Sequence, residues 1–183
     1  MQLREKTQLM STQDLNRVIR RMANEIVEQN KGTDNMVIVG IHRRGVYLAR
    51  RIQNMIEEME QVKVPCGELD ITLYRDDLTT LFEQPVVHST RMPLDISDKK
   101  IYLIDDVLFT GRTIRAALEA IVDLGRPSHV KLAVVIDRGH RELPIHADIC
   151  GRVVPTSKNE VVEVRVNELD GKDEVVICER ESE

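Results

Sequence analysis

The stretch IYLIDDVLFTGRT, from Ile101 to Thr113, has the pattern of a strand, a turn and the start of a helix. Its first four apolar residues predict a short buried strand, which the adjacent acids Asp105 and Asp106 are expected to end. The turn Thr110-Gly111-Arg112-Thr113 then opens an apolar-periodic helix, predicted over 113–124. A buried strand that leads through a turn into a helix is a building unit of parallel sheets covered by helices.

The turn from Thr110 to Thr113 has the features of a phosphate site. Backbone N–H groups and the positive end of the helix dipole would face the anion, and the two threonine hydroxyls add donors. Asp105 and Asp106 cannot bind that phosphate, so sugar hydroxyls or a metal ion are their expected partners. Phosphate, diol and metal together indicate a phosphorylated ribose.

Simpler explanations exist for the single residues. An Asp at the end of a strand often only caps the next helix, and Gly111 could serve only to provide a positive φ. Other phosphate motifs do not fit, because G-x-G-x-x-G is absent and Val46-Tyr47 stands where a P-loop requires Lys and Ser or Thr. The combination of strand, acid pair and T-G-R-T turn favours a ligand site.

Length and composition set further bounds. The 183 residues are most simply a single domain, 1–183, able to bury a core without disulfides or structural metal. Three cysteines are an odd number without a C-x-x-C pair, which argues against a disulfide framework and a zinc site. The first twenty residues are rich in charge, and no apolar run approaches the ~18 residues of a membrane span. We therefore expect a soluble cytoplasmic protein without a signal peptide.

The net charge of −5 argues against indiscriminate binding of nucleic acid. The chain has no Trp, three Tyr and two Phe, so stacking of bases on an aromatic platform is not expected. Any contact with nucleic acid would need a local basic patch.

The rest of the chain alternates between predicted helices and strands. An apolar stripe from Leu15 to Val27 predicts an amphipathic helix over 12–30. Residues 75–95 form a long polar loop of the kind that often acts as a lid. The pattern also predicts a helix over 46–59 and strands over 37–41, 68–74, 131–136, 161–166 and 174–178.

Three polar loops, at 42–45, 105–113 and 137–141, each follow a predicted strand. Strands that alternate with helices form a parallel sheet with helices on both faces, and ligands bind at the carboxyl ends of its strands. The three loops are therefore expected to meet at one rim.

The segment 101–113 closely resembles the phosphoribosyl-diphosphate (PRPP) signature of type I phosphoribosyltransferases. Three further blocks resemble, in order, the PyrR family: ITLYRDDL (71–78), DLGRPSHVKLAVVIDRGHRELP (123–144) and VPTSK (154–158). Members of that family regulate the pyrimidine biosynthetic operon and act as uracil phosphoribosyltransferases. The resemblance implies an α/β fold, a type I phosphoribosyltransferase-like parallel sheet flanked by helices, with a small hood from the N- and C-terminal segments and a flexible lid loop.

The resemblance also implies roles for residues at the rim. The two acids would take the ribose hydroxyls, with Mg²⁺ bridging the diol and pyrophosphate and the acids as further candidate ligands. Arg44 is the best candidate for a pyrophosphate contact, whereas Arg43 stands where many relatives have a small hydroxyl residue. The implied PRPP-binding residues are Arg43, Arg44, Asp105, Asp106, Val107, Leu108, Phe109, Thr110, Gly111, Arg112 and Thr113.

Further implied site residues lie outside these two loops. Arg75 would join the acid pair in catalysis by reaching PRPP or pyrophosphate when the lid closes; alternatively, it pairs on the surface with a neighbouring Asp. Asp137 and Arg138 are implied to lie near the base and pyrophosphate. Val161 is implied to belong to the hood over the base, where backbone groups would read the uracil edge.

A second surface is implied for regulation. Relatives often carry a basic residue in place of His146, a His at Asn24 and an Arg at Gln29, so this chain departs from the family pattern. On residue type alone, the arginines of the first helix would be an ordinary solvated face. The implied RNA-binding residues, positioned by phosphate contacts, are Arg20, Arg21, Arg141, His146 and Arg152.

Three functions stay open at this point. The leading hypothesis is a uracil phosphoribosyltransferase whose UMP-bound form binds the leader mRNA of the pyr operon and controls transcription termination by attenuation. The others are a transferase without an RNA role and an RNA-binding regulator with little catalysis. Expected partners are PRPP, uracil, UMP and the leader mRNA, within a homo-oligomer, and neither membrane nor DNA.

Overall fold

The computed structural model of the protein describes residues 3–77 and 89–180. Its centre is a five-stranded sheet in which all neighbouring strands are parallel, in the order β3-β2-β4-β5-β6. This arrangement confirms the predicted α/β class. The strands are β2 (Met36–Ile41), β3 (Cys66–Leu69), β4 (Lys100–Leu108), β5 (His129–Asp137) and β6 (Ile149–Val153).

Three long helices cover the two faces of this sheet: α1 (Thr12–Asn30), α2 (Arg44–Glu60) and α3 (Arg112–Leu124). Helices α1 and α2 share one hydrophobic core with Tyr102 of β4, whereas α3 packs in a second core with Leu103. Successive residues of a strand point to opposite faces, so one central strand supplies both cores. None of the helices among the described residues is long and apolar enough to cross a membrane.

A second, antiparallel sheet joins the two ends of the chain. It has the order β1-β8-β7, with β1 (Leu3–Met10), β7 (Glu160–Arg165) and β8 (Glu174–Arg180), and the short helix α4 (Asn167–Asp170) connects β7 to β8. Val161 lies in this sheet opposite Cys178. The role of the sheet as a hood over the base stays a prediction.

The prediction that Asp105 and Asp106 end the signature strand is wrong, because β4 continues to Leu108. Strand β5 keeps pairing with β4 beyond the acids, up to the pair of Leu108 with Asp137. Each acid also accepts a hydrogen bond from the next backbone N–H, at 3.0 Å for Asp105 and 2.9 Å for Asp106. The acids are therefore held by an extended backbone.

Other predicted boundaries also differ. The strand expected over 68–74 stops at Leu69, because the carboxylate of Asp70 accepts a hydrogen bond from the Thr72 N–H at 2.8 Å and starts a turn of 3₁₀ helix (Thr72–Tyr74). Helix α2 begins at Arg44, inside the predicted loop. Strands β1 and β6 were not predicted. Of the predicted lid, 78–88 lies outside the described residues.

The two neighbours Ile121 and Val122 of α3 give a matched test of the packing. Ile121 is fully buried, whereas Val122 is 71% exposed. We expect Ile121→Ala to lower the free energy of unfolding by about 3 kcal/mol, because it leaves a cavity, and Val122→Ala to change it by less than about 0.5 kcal/mol. Urea unfolding followed by circular dichroism measures both. Equal losses would contradict the packing described for α3.

Candidate active site

A cleft of about 340 Å³ opens at the carboxyl ends of β2, β3 and β4. It brings together seven residues predicted from the sequence, which are Arg43, Arg44, Arg75, Asp105, Asp106, Val107 and Thr113. Four residues that were not predicted complete its lining: His42, Asp70, Ile71 and Thr72. His42 and Asp70 each directly follow a parallel strand, and that position is the signal that would have revealed them.

The acid pair is the chemical centre of the cleft. Asp105 is only 6% exposed. Burial, and then the neighbouring charge of Asp106, raises the pKa of Asp105 well above its usual value of 3.8. Burial also raises the pKa of Asp106, although hydrogen bonds from Asp105 and Val107 and the charge of Arg44 oppose the shift. The pair is costly to ionise without a ligand, and hydroxyl donors or a cation would favour the charged form.

The donors available to a metal ion are few. No group of three or more His, Cys, Asp or Glu residues within 3–77 and 89–180 is placed to hold a metal ion. Asp105, which is buried, and Asp106, which is partly exposed, still offer hard carboxylate oxygens at a position where positive charge is favoured. These donors fit Mg²⁺, which keeps several non-protein oxygen ligands and commonly binds through one or two carboxylates plus substrate phosphates.

The turn from Thr110 to Thr113, which we call the phosphate turn after its predicted ligand, is separated from the end of β4 by one residue. Gly111 is buried at φ +93°, a conformation that glycine adopts without strain, and α3 starts at the next residue. The hydroxyl of Thr110 accepts a hydrogen bond from the Arg112 N–H at 3.4 Å. The Arg112 side chain donates to Asp76 at 2.6 Å and to Glu142 at 2.8 Å, so it ties the start of the lid to the turn.

The loop after β2 carries the predicted pyrophosphate contacts. Gly45 packs so closely on β4 that a Cβ atom there would lie 2.5 Å from the Ile104 carbonyl oxygen. The peptide bond between His42 and Arg43 is cis, and Arg43 is exposed at the cleft. The Arg44 guanidinium donates twice to Asp170 of α4, at 2.8 and 3.2 Å. Asp170 was missed, because no local pattern links it to a residue 126 positions away.

Arg75 forms the expected pair with a neighbouring Asp, and its contact with PRPP or pyrophosphate stays a prediction. It lines the cleft, and its guanidinium donates to both carboxylate oxygens of Asp77, at 2.8 and 2.6 Å. The side chain is therefore placed at the site while its charge is matched by a partly exposed carboxylate. Exposed ion pairs contribute little stability, so this pair can be exchanged for a ligand anion.

An aromatic and a buried cation stand beside the phosphate turn. The Arg138 guanidinium lies 4.0 Å from the centre of the Phe109 ring, and Arg138 is 5% exposed. It donates to the Thr156 hydroxyl at 3.0 Å and to the Ser157 carbonyl at 2.9 Å. The VPTSK block therefore holds Arg138 against Phe109, next to the strand ends.

The predicted RNA-binding residues divide into two groups. Arg20, Arg21, His146 and Arg152 are exposed. Arg21 donates to the carbonyl oxygens of Cys150 and Gly151, which brings α1 beside β6 and Arg152. We call Arg20, Arg21 and Arg152 the basic face.

Arg141 lies apart from the basic face, against the residue before the turn and not away from the rim of the cleft, and its role in RNA binding stays a prediction. Its side chain is 17% exposed and forms an ion pair of 2.5 Å with Asp137. It also donates to the carbonyl oxygen of Phe109 at 2.5 Å. The loop after β5 thus touches the phosphate turn, and the expected meeting of the three loops at one rim is confirmed.

Comparison with known proteins identifies relatives along nearly the whole chain. Residues 5–169 match the phosphoribosyl transferase domain family. The bifunctional protein PyrR of Pelotomaculum thermopropionicum is 58% identical over 176 residues, covering 96% of this chain and 97% of that protein. The bifunctional protein PyrR of Thermus aquaticus is 56% identical over 179 residues, covering 98% and 99%.

Solved structures give the same fold at much lower identity. The hypoxanthine phosphoribosyltransferase of Trypanosoma cruzi has a TM-score of 0.73 at 15% identity and covers 97% of this chain and 98% of that chain. A hypoxanthine phosphoribosyltransferase from Staphylococcus aureus has a TM-score of 0.67 at 16% identity, covering 94% and 92%. At such identities the likeness supports the fold alone.

The raised pKa values of the acid pair lead to a test that separates a ligand site from helix capping. Because the folded protein holds these protons more tightly than the unfolded chain, stability is lost as the pH rises from about 4 through the folded-state pKa. Asp105→Asn should therefore stabilise the ligand-free protein at pH 7 and not at pH 3. Asp105→Asn and Asp106→Asn should each lower turnover about 100-fold or more.

Urea unfolding in EDTA at both pH values, together with a transferase assay, measures these effects. Asp34→Asn, a change at an exposed acid, is the matched control and should alter neither. Normal turnover in both site variants would reduce the pair to a structural role.

Proposed function

The chain belongs to the phosphoribosyl transferase domain family and, within it, to the PyrR proteins; from that membership we propose that it is a uracil phosphoribosyltransferase that also regulates pyrimidine biosynthesis genes. It converts uracil and PRPP to UMP and pyrophosphate. Its UMP-bound form binds the leader mRNA and controls transcription termination by attenuation. The observation that carries the proposal is the pair of adjacent acids, Asp105 and Asp106, beside the turn from Thr110 to Thr113 in a cleft lined by arginines.

The difficult step is breakage of the bond between C1 of the ribose and the pyrophosphate oxygen, because the ribose then acquires oxocarbenium-like positive charge. Asp105 and Asp106 accept hydrogen bonds from the ribose hydroxyls. Their negative charge, fixed on β4 before the reaction begins, stabilises the positive charge that develops on the ring.

The phosphate turn fixes the other end of the sugar. Backbone N–H groups between Thr110 and Thr113, at the start of α3, bind the 5′-phosphate, and the two threonine hydroxyls add donors. With the phosphate held by the turn and the ribose held by the acids, the reactive carbon is positioned for attack by the base.

The departing pyrophosphate is neutralised by arginines from two loops. Arg44 and Arg75 line the cleft, and each is held in a bidentate pair by a carboxylate, Asp170 and Asp77 respectively. Arg43 adds a third positive charge at the mouth of the cleft. Asp105 and Asp106 would hold Mg²⁺, and the ion would supply further neutralisation of the pyrophosphate charge.

The base lies on the side of the site formed by Phe109, Arg138 and the VPTSK block. Asp137 shapes this end through local contacts, accepting hydrogen bonds from the Gly139 N–H at 2.9 Å and from Arg141. Backbone groups around Val161 read the polar edge of uracil, a mode of recognition that needs no aromatic platform.

In regulation, RNA binds at the basic face. His146 is also exposed and is a further candidate contact. These arginines bind RNA phosphates and set the register of the leader on α1 and β6. UMP strengthens RNA binding because it has a higher affinity for the RNA-competent state. We propose that the protein acts in the cytoplasm as a homo-oligomer.

We expect the protein to form UMP from uracil and PRPP only when Mg²⁺ is present, with adenine, guanine and hypoxanthine as poor substrates. The reason is that the metal offsets the charge of the acid pair and the pyrophosphate. A radiochemical assay of the four bases, with and without EDTA, measures this. Turnover of hypoxanthine or guanine at a rate close to that of uracil would contradict the assignment of the base.

Leader RNA should bind specifically, more tightly with UMP, and through Arg20. Arg20→Gln should weaken binding and reduce the slope of log K against log salt by about 1, because one phosphate contact is lost. Uracil transfer should stay unchanged. Arg126→Gln is the matched control, since Arg126 is exposed and follows α3 on the opposite face of the sheet.

Filter binding of leader and scrambled RNA over a range of salt concentrations measures the effect. Equal, UMP-independent affinity for the two RNAs would leave an enzyme without the regulatory role.

A further inference from the structure

We infer that Arg141 is a positioning residue for the 5′-phosphate turn. It holds the backbone of the turn in the orientation that binds phosphate, and it contacts neither the substrate nor RNA. The inference rests on the proposed function, because it assigns the 5′-phosphate of PRPP and UMP to the turn.

The Arg141 guanidinium bridges the end of β5 and the turn. One of its nitrogens donates to the Phe109 carbonyl oxygen at 2.5 Å, and another donates to Asp137 at 2.5 Å. The third, Nε, donates to the Ile145 carbonyl oxygen at 2.8 Å. All three nitrogens of the fork are thus bound within the protein, and the side chain is 17% exposed.

The Phe109 carbonyl is the important acceptor. A turn that binds an anion through its N–H groups must point its carbonyl oxygens away from the anion, since an inward carbonyl would repel it. The outward carbonyls of a partly buried turn then need donors of their own. Arg141 supplies a charge-assisted donor to the residue that directly precedes Thr110.

The carbonyl oxygen of the following residue, Thr110, also has donors from the segment 141–145. The backbone N–H groups of Glu142 and Leu143 donate to the Thr110 carbonyl oxygen, at 2.9 and 3.2 Å. A Cβ atom on Gly111 would lie 3.4 Å from that of Ile145, so the segment 141–145 also forms the wall behind the turn. Arg141, the first residue of this segment, binds the carbonyl oxygen of Ile145 at its other end and Asp137 at the end of β5.

The geometry requires arginine. Three acceptors in different directions are met by a planar fork with fixed N–H vectors, whereas the lysine ammonium on its flexible stem cannot reproduce that arrangement. Because the donors of Arg141 are directed to Phe109, Asp137 and Ile145, few are left for an RNA phosphate. The positive charge of Arg141 therefore serves to hold the phosphate turn and not to bind RNA.

Isothermal titration calorimetry of Arg141→Lys and Arg141→Met with ribose 5-phosphate and, separately, pyrophosphate tests the inference. We expect ribose 5-phosphate affinity to fall about tenfold or more, since a charge-assisted hydrogen bond that orders the turn is lost. Pyrophosphate affinity should stay unchanged. In steady state, KM for PRPP should rise more than kcat falls. Arg126→Met is the matched control and should behave as wild type.

Measurements of RNA binding distinguish a positioning role of Arg141 from direct contact between Arg141 and RNA. In Arg141→Lys, half-maximal RNA binding should need more UMP, but affinity at saturating UMP should equal that of wild type. Reduced RNA affinity at saturating UMP, with ribose 5-phosphate binding intact, would overturn the inference. Equal losses for ribose 5-phosphate and pyrophosphate would also overturn it, because they indicate general damage to the site.

Two further outcomes keep the inference apart from the proposed function. If Arg141→Met does not fold, as judged by its thermal melt, Arg141→Lys carries the test because it keeps the charge and the apolar stem. If the wild-type protein binds ribose 5-phosphate but does not use uracil, the proposed base is wrong and the selective effect at Arg141 still supports positioning. A wild-type protein that does not bind ribose 5-phosphate contradicts the inference.

Discussion

Asp105 and Asp106 lie side by side on the central strand β4, Asp105 buried and Asp106 partly exposed, and this placement determines how the other site residues are arranged. Burial raises the pKa of both Asp105 and Asp106, so the ligand-free protein holds negative charge there at a cost in stability. The parallel strands impose this position, since β5 pairs with β4 past the acids and fixes their backbone. A ligand that brings hydroxyl donors and positive charge relieves the cost, which couples binding of a ribose and its counterions to the stability of the fold.

The arrangement of positive charge follows from the same constraint. Arginines placed permanently against the acids would neutralise them and remove their use in catalysis. The structure instead holds Arg44 on Asp170 and Arg75 on Asp77, each within the cleft but satisfied by another carboxylate. A pyrophosphate has more negative charge than either carboxylate and can take over these donors. Asp170, in the helix between β7 and β8, thereby fixes the position of the Arg44 side chain before the proposed pyrophosphate contact forms.

Features with a local physical signal could be predicted from the sequence, and features made by distant partners could not. Helices α1 and α3 were predicted to within a residue, because apolar spacing reports burial directly. Strand β1 has mostly exposed residues and exists through its pairing with β8. Asp105 and Asp106 suggested the end of a strand because they are charged. The sequence does not show that β5 pairs with β4 beyond them and extends the strand. Arg141 looked like a surface residue for the same reason, since its acceptors are three separate groups that the fold assembles.

The catalytic rim and the basic face are joined by the last residues of β5. The Phe109 carbonyl is bound by Arg141, which is bound by Asp137, and Asp137 lies opposite Val153 in the pairing of β5 with β6. Arg152 of the basic face is the neighbour of Val153 on the same edge strand. In the proposed function, a phosphate bound at the turn would act through this series of contacts, which ends beside the basic face. If UMP strengthens RNA binding as proposed, RNA bound at the basic face strengthens UMP binding by the same free energy, because linkage is reciprocal. The segment 137–141 can thus contribute to both substrate binding and regulation. Its Arg141 side chain takes part by binding the Phe109 carbonyl and Asp137.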